Sequence, residues 1–405
     1  MKKLFNYVLS LFLMAFSLML LHFDAHAQTV ESDERALLRL NEGISFSKDS
    51  LFLMNFRFRM QNRVGANTLG GDELGINAFE MRVRRLRLRM DGFVLNPKFQ
   101  YYIQLAFSKA DMDLESGNIA QPVRDAIVYY IVNKNFYIGF GQSKLPGNRQ
   151  RVVSSGNLQF ADRSIVNALY TIDRDFGFFT YYTQPISTNS FLMLKTAVSS
   201  GDGRNASVIN NGLAYTGRAE FLPLGKFSNS GDYSEGDLEF EKTPKLSLGL
   251  TYSYNHKASR TGGQLGSELY DFRDIETLIV DGMFKYRGFA VLSEFMQRNT
   301  ADPITTNEQG LVRFVPVGHG FNLQISKMIS PKVELATRYS FVEPKTSISD
   351  FQQRVDEALV GYTYYLKGHR IKIQGNLGYK WLEGLYDLNH TGNSWTGMFQ
   401  VEFGI

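Results

Sequence analysis

Phe99-Gln100-Tyr101-Tyr102-Ile103-Gln104-Leu105-Ala106-Phe107-Ser108 is the stretch on which the fold reading turns. Successive side chains of a strand point to opposite sides. Phe99, Tyr101, Ile103, Leu105 and Phe107 therefore share one face, and Gln100, Tyr102, Gln104, Ala106 and Ser108 share the other. A period of two with one apolar and one wettable face marks a strand whose two sides meet different media. The pattern recurs: Leu246, Leu248, Leu250, Tyr252 and Tyr254 alternate with Ser247, Gly249, Thr251 and Ser253. Ile371, Ile373, Leu377 and Tyr379 alternate with Lys372, Gln374, Asn376 and Lys380.

About sixteen such segments follow one another, an even number as a bacterial membrane barrel requires. They fall at 51–63, 79–94, 98–109, 124–133, 135–143, 176–184, 190–200, 212–223, 245–255, 276–287, 288–298, 319–329, 332–343, 357–367, 369–381 and 394–405. The connections alternate in length. Leu95-Asn96-Pro97, Asn133-Lys134-Asn135, Arg287-Gly288, Ser330-Pro331 and Lys367-Gly368 are short. Gly65–Asn77, Lys109–Val123, Ser143–Asp175, Ser200–Asn211, His256–Ile275, Arg298–Gly318, Glu343–Asp356 and Leu382–Asn393 are long and polar. Short turns on the periplasmic rim and long loops on the external rim produce this rhythm when both chain ends are periplasmic. Pro223–Pro244 alone breaks it, being long where a short turn is due. The expected fold is all-β: a transmembrane antiparallel β-barrel of about sixteen strands with short periplasmic turns and long external loops. A soluble sandwich or propeller also alternates, but lacks so regular a rhythm, and no propeller repeat is present. The last strand places Trp395, Phe399, Val401, Phe403 and Ile405 on one face, with Ile405 where outer-membrane barrels typically carry Phe.

The chain opens with Lys2 and Lys3, an apolar run from Leu4 to Phe23, and Ala25-His26-Ala27. That is the layout of a secretory signal peptide; an uncleaved anchor is the alternative, and the Ala-x-Ala site favours cleavage. The expected organisation is a signal peptide at 1–27, a periplasmic lead-in at 28–50 in which Glu31–Leu40 is a candidate helical turn or disordered, and a barrel at 51–405. The absence of cysteine excludes lipobox acylation, disulfides and thiolate metal sites. No run of 18 apolar residues follows the signal segment, so strands must do any crossing. The formal net charge is +4, of which Lys2, Lys3 and Asp24 supply +1, leaving +3 on the mature chain. So small a total means that any preference for anions must come from where cations sit.

The strongest such placement is Arg82-Val83-Arg84-Arg85-Leu86-Arg87-Leu88-Arg89. Arg85, Arg87 and Arg89 share one face and Leu86, Leu88 and Met90 the other. A lipid-facing arginine at mid-bilayer costs roughly 2–4 kcal/mol, so the arginines should face the lumen. Arg82 and Arg84 are out of phase with Arg85, which predicts a β-bulge near Arg84-Arg85. Arg57 and Arg59 lie opposite Phe56 and Phe58 on the preceding strand and would extend a guanidinium ladder. Such a ladder concentrates small anions and matches phosphate or carboxylate through paired N–H donors. The plainer reading is that these charges solvate the pore and pair with acids such as Asp91, Glu220 and Glu294. The loop Ser143–Asp175, the third external one, adds Lys144, Arg149, Arg151, Arg163 and Arg174 against Asp162, Asp173 and Asp175, a basic-leaning constriction if it folds inward.

Gly141-Gln142-Ser143-Lys144-Leu145-Pro146, then Ser154-Ser155, Leu158, Phe160, Asp162-Arg163-Ser164, Asn167, Arg174 and Gly177, resemble the signature region of the phosphate-selective porin O and P family. The arginine strand, the Ala126–Tyr130 segment and Glu241-Lys242-Thr243-Pro244-Lys245-Leu246 are similar to that family as well. Asn148-Arg149-Gln150 stands where the family often has an acidic residue, and Asp162 where Glu is usual. The resemblance implies a sixteen-stranded, usually trimeric channel that passes anions, phosphate or polyphosphate among them. It also implies that an extra segment such as Pro223–Pro244 folds into the lumen. Arg57, Arg59, Arg85, Arg87 and Arg89 are then the candidate anion wall, and Lys144, Arg149, Arg151, Arg163 and Arg174 the candidate constriction. Outer-membrane lipid, small anions and two further copies of the chain are the expected partners, with no cofactor, metal or nucleic acid.

Three rival classes stay open. A general or oligosaccharide-type porin would line its lumen with aromatics, for which Tyr102 and Tyr129 are candidates. A plugged barrel would look alike in sequence. An enzyme is disfavoured because His256, His319, His369 and His390 sit in no nucleophile or metal motif and Ser154-Ser155 has no base placed for it.

Overall fold

The computed structural model describes residues 43–48, 51–109, 111–112, 120–206, 212–383 and 392–405. The expected signal peptide and the candidate helical turn at Glu31–Leu40 lie outside the described residues. Strand β1 is Ile44–Lys48, β2 Phe52–Thr68, β3 Ile76–Val94, β4 Phe99–Ala106, β5 Val123–Ile131, β6 Phe136–Lys144 and β7 Arg174–Ser187. Next come β8 Ser190–Ser199, β9 Ala214–Leu222, β10 Lys245–Arg260, β11 Glu268–Tyr286 and β12 Phe289–Asn299. A short pair, β13 Ile304–Thr306 and β14 Val312–Phe314, precedes β15 Gly318–Ser330, β16 Val333–Pro344, β17 Val355–Lys367, β18 Ile371–Leu382 and β19 Ser394–Gly404.

Sixteen of these, β2–β12 and β15–β19, form a closed antiparallel barrel in which each strand pairs with the next and β19 returns to β2 through Phe399↔Val64. Closure is what lets a sheet span lipid, since it leaves no backbone edge unpaired. The burial pattern is inside out. On β10, Ser247, Thr251 and Ser253 are buried while Leu250 and Tyr252 between them are exposed. The polar face meets the lumen and the apolar face the bilayer, the arrangement that period-two sequence on a membrane barrel predicts. Each of the sixteen expected segments overlaps one barrel strand.

Three details differ from the sequence reading. Within the expected lead-in, Ile44–Lys48 is a strand that pairs with the start of β2, Ile44↔Phe56 to Lys48↔Phe52. It continues the column of β19, whose Gly404 pairs with Arg59 and after which the Ile405 amide donates to the Phe58 carbonyl at 3.0 Å. Second, the β2–β3 and β10–β11 hairpins extend well beyond the expected ends, to Thr68↔Ile76 and Arg260↔Glu268. Above the bilayer neither face need be apolar, so the periodic signal fades although the ladder goes on. Third, β13 and β14 form a hairpin inside Arg298–Gly318, a loop whose sequence showed only that it is long and polar. The bulge near Arg84 is present: Gln61 pairs with Arg85 and Asn62 with Val83, leaving Arg84 as the extra residue. The Arg287-Gly288 turn takes positive φ at both residues, 46° and 78°. This is the turn geometry that matches strand twist in a two-residue hairpin.

Candidate functional site

The register of β2 on β3 builds a wall of guanidinium groups. Arg57 lies opposite Arg89, Arg59 opposite Arg87, Gln61 opposite Arg85, and Arg63 opposite Arg82. Like charges directly across a ladder repel, so the wall needs counter-charges, which come from β3 itself and from more distant parts of the chain. Asp91 takes Arg57 at 3.0 Å and Arg89 at 3.0 Å. Asp111 takes Arg87 at 2.7 Å and Arg124 at 3.5 Å. Asp162 takes Arg63 at 2.7 Å and Glu402 lies 3.6 Å from Arg59. Arg85 donates to the side-chain oxygen of Gln61 at 2.7 Å. Part of the plainer sequence reading therefore holds: the lumen arginines are largely paired, Asp91 among the partners.

The third external loop crosses the lumen. It carries two short helices, α1 at Arg149–Val152 and α2 at Ile165–Tyr170, the second capped by Ser164, whose side chain accepts from the Asn167 amide. Irregular backbone inside a barrel must find partners for its carbonyls. Here the walls supply donors. Lys372 of β18 donates to the Gly156 and Leu158 carbonyls at 2.9 and 2.6 Å. Arg298 of β12 donates to those of Leu169 and Thr171, and Arg338 of β16 to that of Asp162. Arg59 and Arg87 donate to the hydroxyls of Ser154 and Ser155, so the one candidate nucleophile pair is engaged by the arginine wall. Apolar seats complete the docking. Phe160 packs over Gly361, where an added Cβ would come within 2.7 Å of its ring. Leu145, Val166, Tyr170 and Ile172 join a buried cluster with Ile127, Phe179, Ile279 and Met296 of the walls.

The periplasmic connection between β9 and β10 also enters the lumen and meets this loop. The Glu235 amide donates to the Asn157 carbonyl at 2.8 Å. The Glu235 carboxylate accepts from the Gln159 amide at 2.9 Å and from Gln324 of β15 at 2.9 Å. Asp232 lies 3.8 Å from Arg149. The anomalous length of Pro223–Pro244 thus has a structural use: it approaches from below what the third loop approaches from above.

The ten arginines and lysines singled out from sequence divide into two groups. Arg149 is fully buried on the far side, held by Glu220, Asp232 and Asp281, and does not reach the lumen surface. Arg174 is buried between Asp125 and Asp173 at 2.9 and 3.2 Å. Arg57, Arg85 and Arg87 are also buried. Exposure is kept by Arg59, Arg89 and Arg151, at 18 %, 28 % and 15 % of their side chains. Arg84 keeps 21 %, and Lys144 and Arg163 are half-buried. Burial, with Arg151 next in weight, pulls the Arg163 guanidinium down to about 9, which leaves it charged at neutral pH. Facing them, the most exposed acid is Asp162 at 39 %. Burial alone would raise its carboxyl, but Arg63 outweighs that, with Arg85 and Arg84 behind it, and holds it well below the usual carboxylate range. Among the described residues, the accessible boundary between loop and wall therefore sets these six cations against Asp162, with Arg82 and Glu80 paired to each other at 2.8 Å beside them. Sequence reasoning passed over Arg63, Arg84 and Arg124 as wall members, although the bulge it predicted brings Arg82 back into phase. It also passed over Tyr137 and Tyr181, which strand parity alone would have placed inward.

A sequence model of the phosphate-selective porin O and P family matches residues 54–403. No curated protein sequence matches the chain. Among solved structures, the anion-selective porin from Comamonas acidovorans superposes with a TM-score of 0.54 at 11% identity, covering 87% of this chain and 100% of that one. OmpF of Salmonella typhi in complex with daunomycin gives 0.53 at 10% identity over 89% of this chain and 100% of its own. The outer membrane channel DcaP of Acinetobacter baumannii gives 0.52 at 10% identity over 90% and 100%. Identities this low establish a shared barrel and no more. The family match runs from the first barrel strand to the last, through the arginine wall and the inward third loop, and on that ground the chain belongs to the phosphate-selective porin O and P family, outer-membrane β-barrel channels of Gram-negative bacteria.

Proposed function

We propose that this porin is a passive diffusion channel selective for small anions, with phosphate or polyphosphate as the favoured class. The observation that carries the reading is the accessible boundary between the third loop and the β2–β3 wall, where, among the described residues, Arg59, Arg84, Arg89, Lys144, Arg151 and Arg163 outnumber Asp162 and the Glu80 carboxylate that Arg82 pairs. Fixed cations along a narrow low-dielectric passage raise the local concentration of anions and exclude cations. Guanidinium groups add paired donors that fit phosphate oxygens. Arg57, Arg85 and Arg87 act one layer behind, as long-range charge, while Arg149 and Arg174 hold the loop in place.

Purified protein in a planar bilayer under a potassium chloride gradient is expected to give a zero-current potential of anion-selective sign. Phosphate added to that bilayer is expected to reduce the chloride current. A potential of cation-selective sign would overturn the reading; anion selectivity without phosphate block would leave a general anion porin.

Residues 1–27 act, in this reading, as a cleaved secretory signal, ahead of the lead-in at 28–50 and the barrel at 51–405. The assembly is a homotrimer in outer-membrane lipid. Its contact lies where Ile76–Val83 of β3 pairs with β2 but, among the described residues, with no strand on its other edge. Phe79 and Met81 point outward there, 60 % and 70 % exposed. Light scattering of the detergent-solubilised protein should give the mass of three copies, and Met81→Glu with Val83→Glu should give monomers. A wild-type monomer would refute the trimer.

A further inference from the structure

We propose that, among phosphate-type anions of similar charge, this channel binds best those that carry a flat aromatic ring beside the charge, a preference that rests on the anion-channel reading and refines it. Four tyrosines, Tyr102, Tyr129, Tyr137 and Tyr181, project inward from the adjacent strands β4, β5, β6 and β7. Tyr137 and Tyr181 face each other across the β6–β7 ladder, with ring centroids 4.5 Å apart and planes 11° from parallel. Tyr129 meets both, at 6.0 and 6.2 Å. It lies across β6 at Gly139, where an added Cβ would come within 3.0 Å of its ring, so the absent side chain makes room for the shelf. At the other end the Arg89 guanidinium sits 4.5 Å from the Tyr102 ring centroid. One of the exposed cations of the permeation boundary is thus the first member of the aromatic row.

Two physical points make this a binding surface for a particular chemistry. Inward positions of a water-filled barrel are normally polar, as Ser247, Thr251 and Ser253 are on β10 and Gln324 and Ser326 on β15. Tyr102, Tyr137 and Tyr181 are each only half-buried, so ring surface remains that internal packing does not cover. The face of an aromatic ring is electronegative and stacks offset on another ring. A bare phosphate gains nothing from such a surface. An anion with one aromatic ring can lay its ring on the tyrosines while its charge stays near Arg89 and Arg59.

The test uses the whole channel in a planar bilayer, with phenyl phosphate and methyl phosphate as matched probes that differ in the ring. Phenyl phosphate is expected to halve the chloride current at about tenfold lower concentration than methyl phosphate, the size of one or two stacking contacts. Tyr137→Leu with Tyr181→Leu should bring that ratio close to one, and Tyr137→Phe with Tyr181→Phe should keep it. The comparison of probes on the unaltered protein stands even if the leucine variant fails to fold. Equal block by the two probes in a channel whose zero-current potential is anion-selective overturns the ring preference alone. A leucine variant that folds and keeps the tenfold ratio overturns the tyrosine assignment. A potential of cation-selective sign overturns the anion-channel reading and this proposal with it.

Discussion

Exchanging Arg59, Arg84 and Arg89 together for glutamine is expected to lower the anion-to-cation permeability ratio by roughly thirtyfold, to near or below one. A unit charge about 5 Å from a passing ion is worth roughly 0.8 kcal/mol at the dielectric of water. Three such charges, discounted for screening by salt, come to about 1 kcal/mol for each ion, with opposite sign for anion and cation, and so to about 2 kcal/mol in the ratio. The exchange also exposes what those cations now balance. Glu402 lies 3.6 Å from Arg59, Asp91 3.0 Å from Arg89 and Asp162 3.9 Å from Arg84. With the guanidinium groups gone, three carboxylates face the passage with fewer opposing charges, so the residual field should favour cations. Arg57, Arg85 and Arg87 stay in place, which keeps the deeper layer of the wall and its bond to Ser155 intact. The measurement is the zero-current potential at low salt, where a surface charge acts over a longer distance. A variant that folds and keeps the wild-type potential would place the selectivity filter elsewhere, with Arg151, Arg163 and Lys144 of the loop side as the remaining cations.

The barrel itself was legible because lipid demands a property that shows in every strand. Leu250 and Tyr252 must be apolar and Thr251 need not be, and the same rule runs through sixteen strands in succession. Parity of Phe56 and Phe58 places Arg57 and Arg59 in the lumen without any structure. The bulge at Arg84 followed from the break in phase between Arg84 and Arg85. What parity cannot supply is partners. Glu402 reaches Arg59 from the last strand, and Glu220 and Asp281 reach Arg149 from strands far along the chain. No local pattern links such residues, so Arg149 and Arg151 read alike in sequence, while one is a fully buried brace and the other keeps 15 % of its side chain exposed. The hairpin ends beyond Val64 and Asn255 were missed for the opposite reason: outside the bilayer nothing forces alternation. Pro223–Pro244 betrayed itself by length alone. Its insertion depends on contacts such as Glu235 with Gln324, which only the closed barrel brings together.

Replacing Arg149 by methionine is expected to cost about 3–5 kcal/mol of stability, the usual penalty for breaking a buried charge cluster from one side, and to raise single-channel conductance. The cluster is balanced. Arg149, Arg218 and Lys195 stand against Glu220, Asp232 and Asp281, all buried or nearly so. Arg149 ties the start of the third loop to β9, β10 and β11 by contacts to Glu220 at 3.5 Å, Ser247 at 2.7 Å and Asp281 at 3.4 Å. Methionine fills similar volume but leaves two cations against three acids in a place with little water. Asp232, on the inserted periplasmic segment, is the acid best able to relieve this. Burial already pushes its carboxyl above the ordinary range, with Arg149 as the opposing pull. Without Arg149 it should hold its proton more tightly still. A carboxyl whose folded value lies above its unfolded value favours the folded state as pH falls and works against it as pH rises between the two. The stability deficit of Arg149→Met should therefore be largest at neutral pH and shrink in the acid range. Adding Asp232→Asn restores two cations against two acids, and the double variant should recover at least half of the lost stability at neutral pH. Thermal unfolding followed by loss of the barrel's resistance to detergent gives the stabilities, and bilayer recordings give the conductance. A deficit that does not change with pH, together with a double variant no better than the single, would mean that charge balance is not what Arg149 contributes. The loop would then be held by its carbonyl bonds to Lys372, Arg298 and Arg338 and by the seating of Phe160 on Gly361, and conductance should stay at its wild-type level.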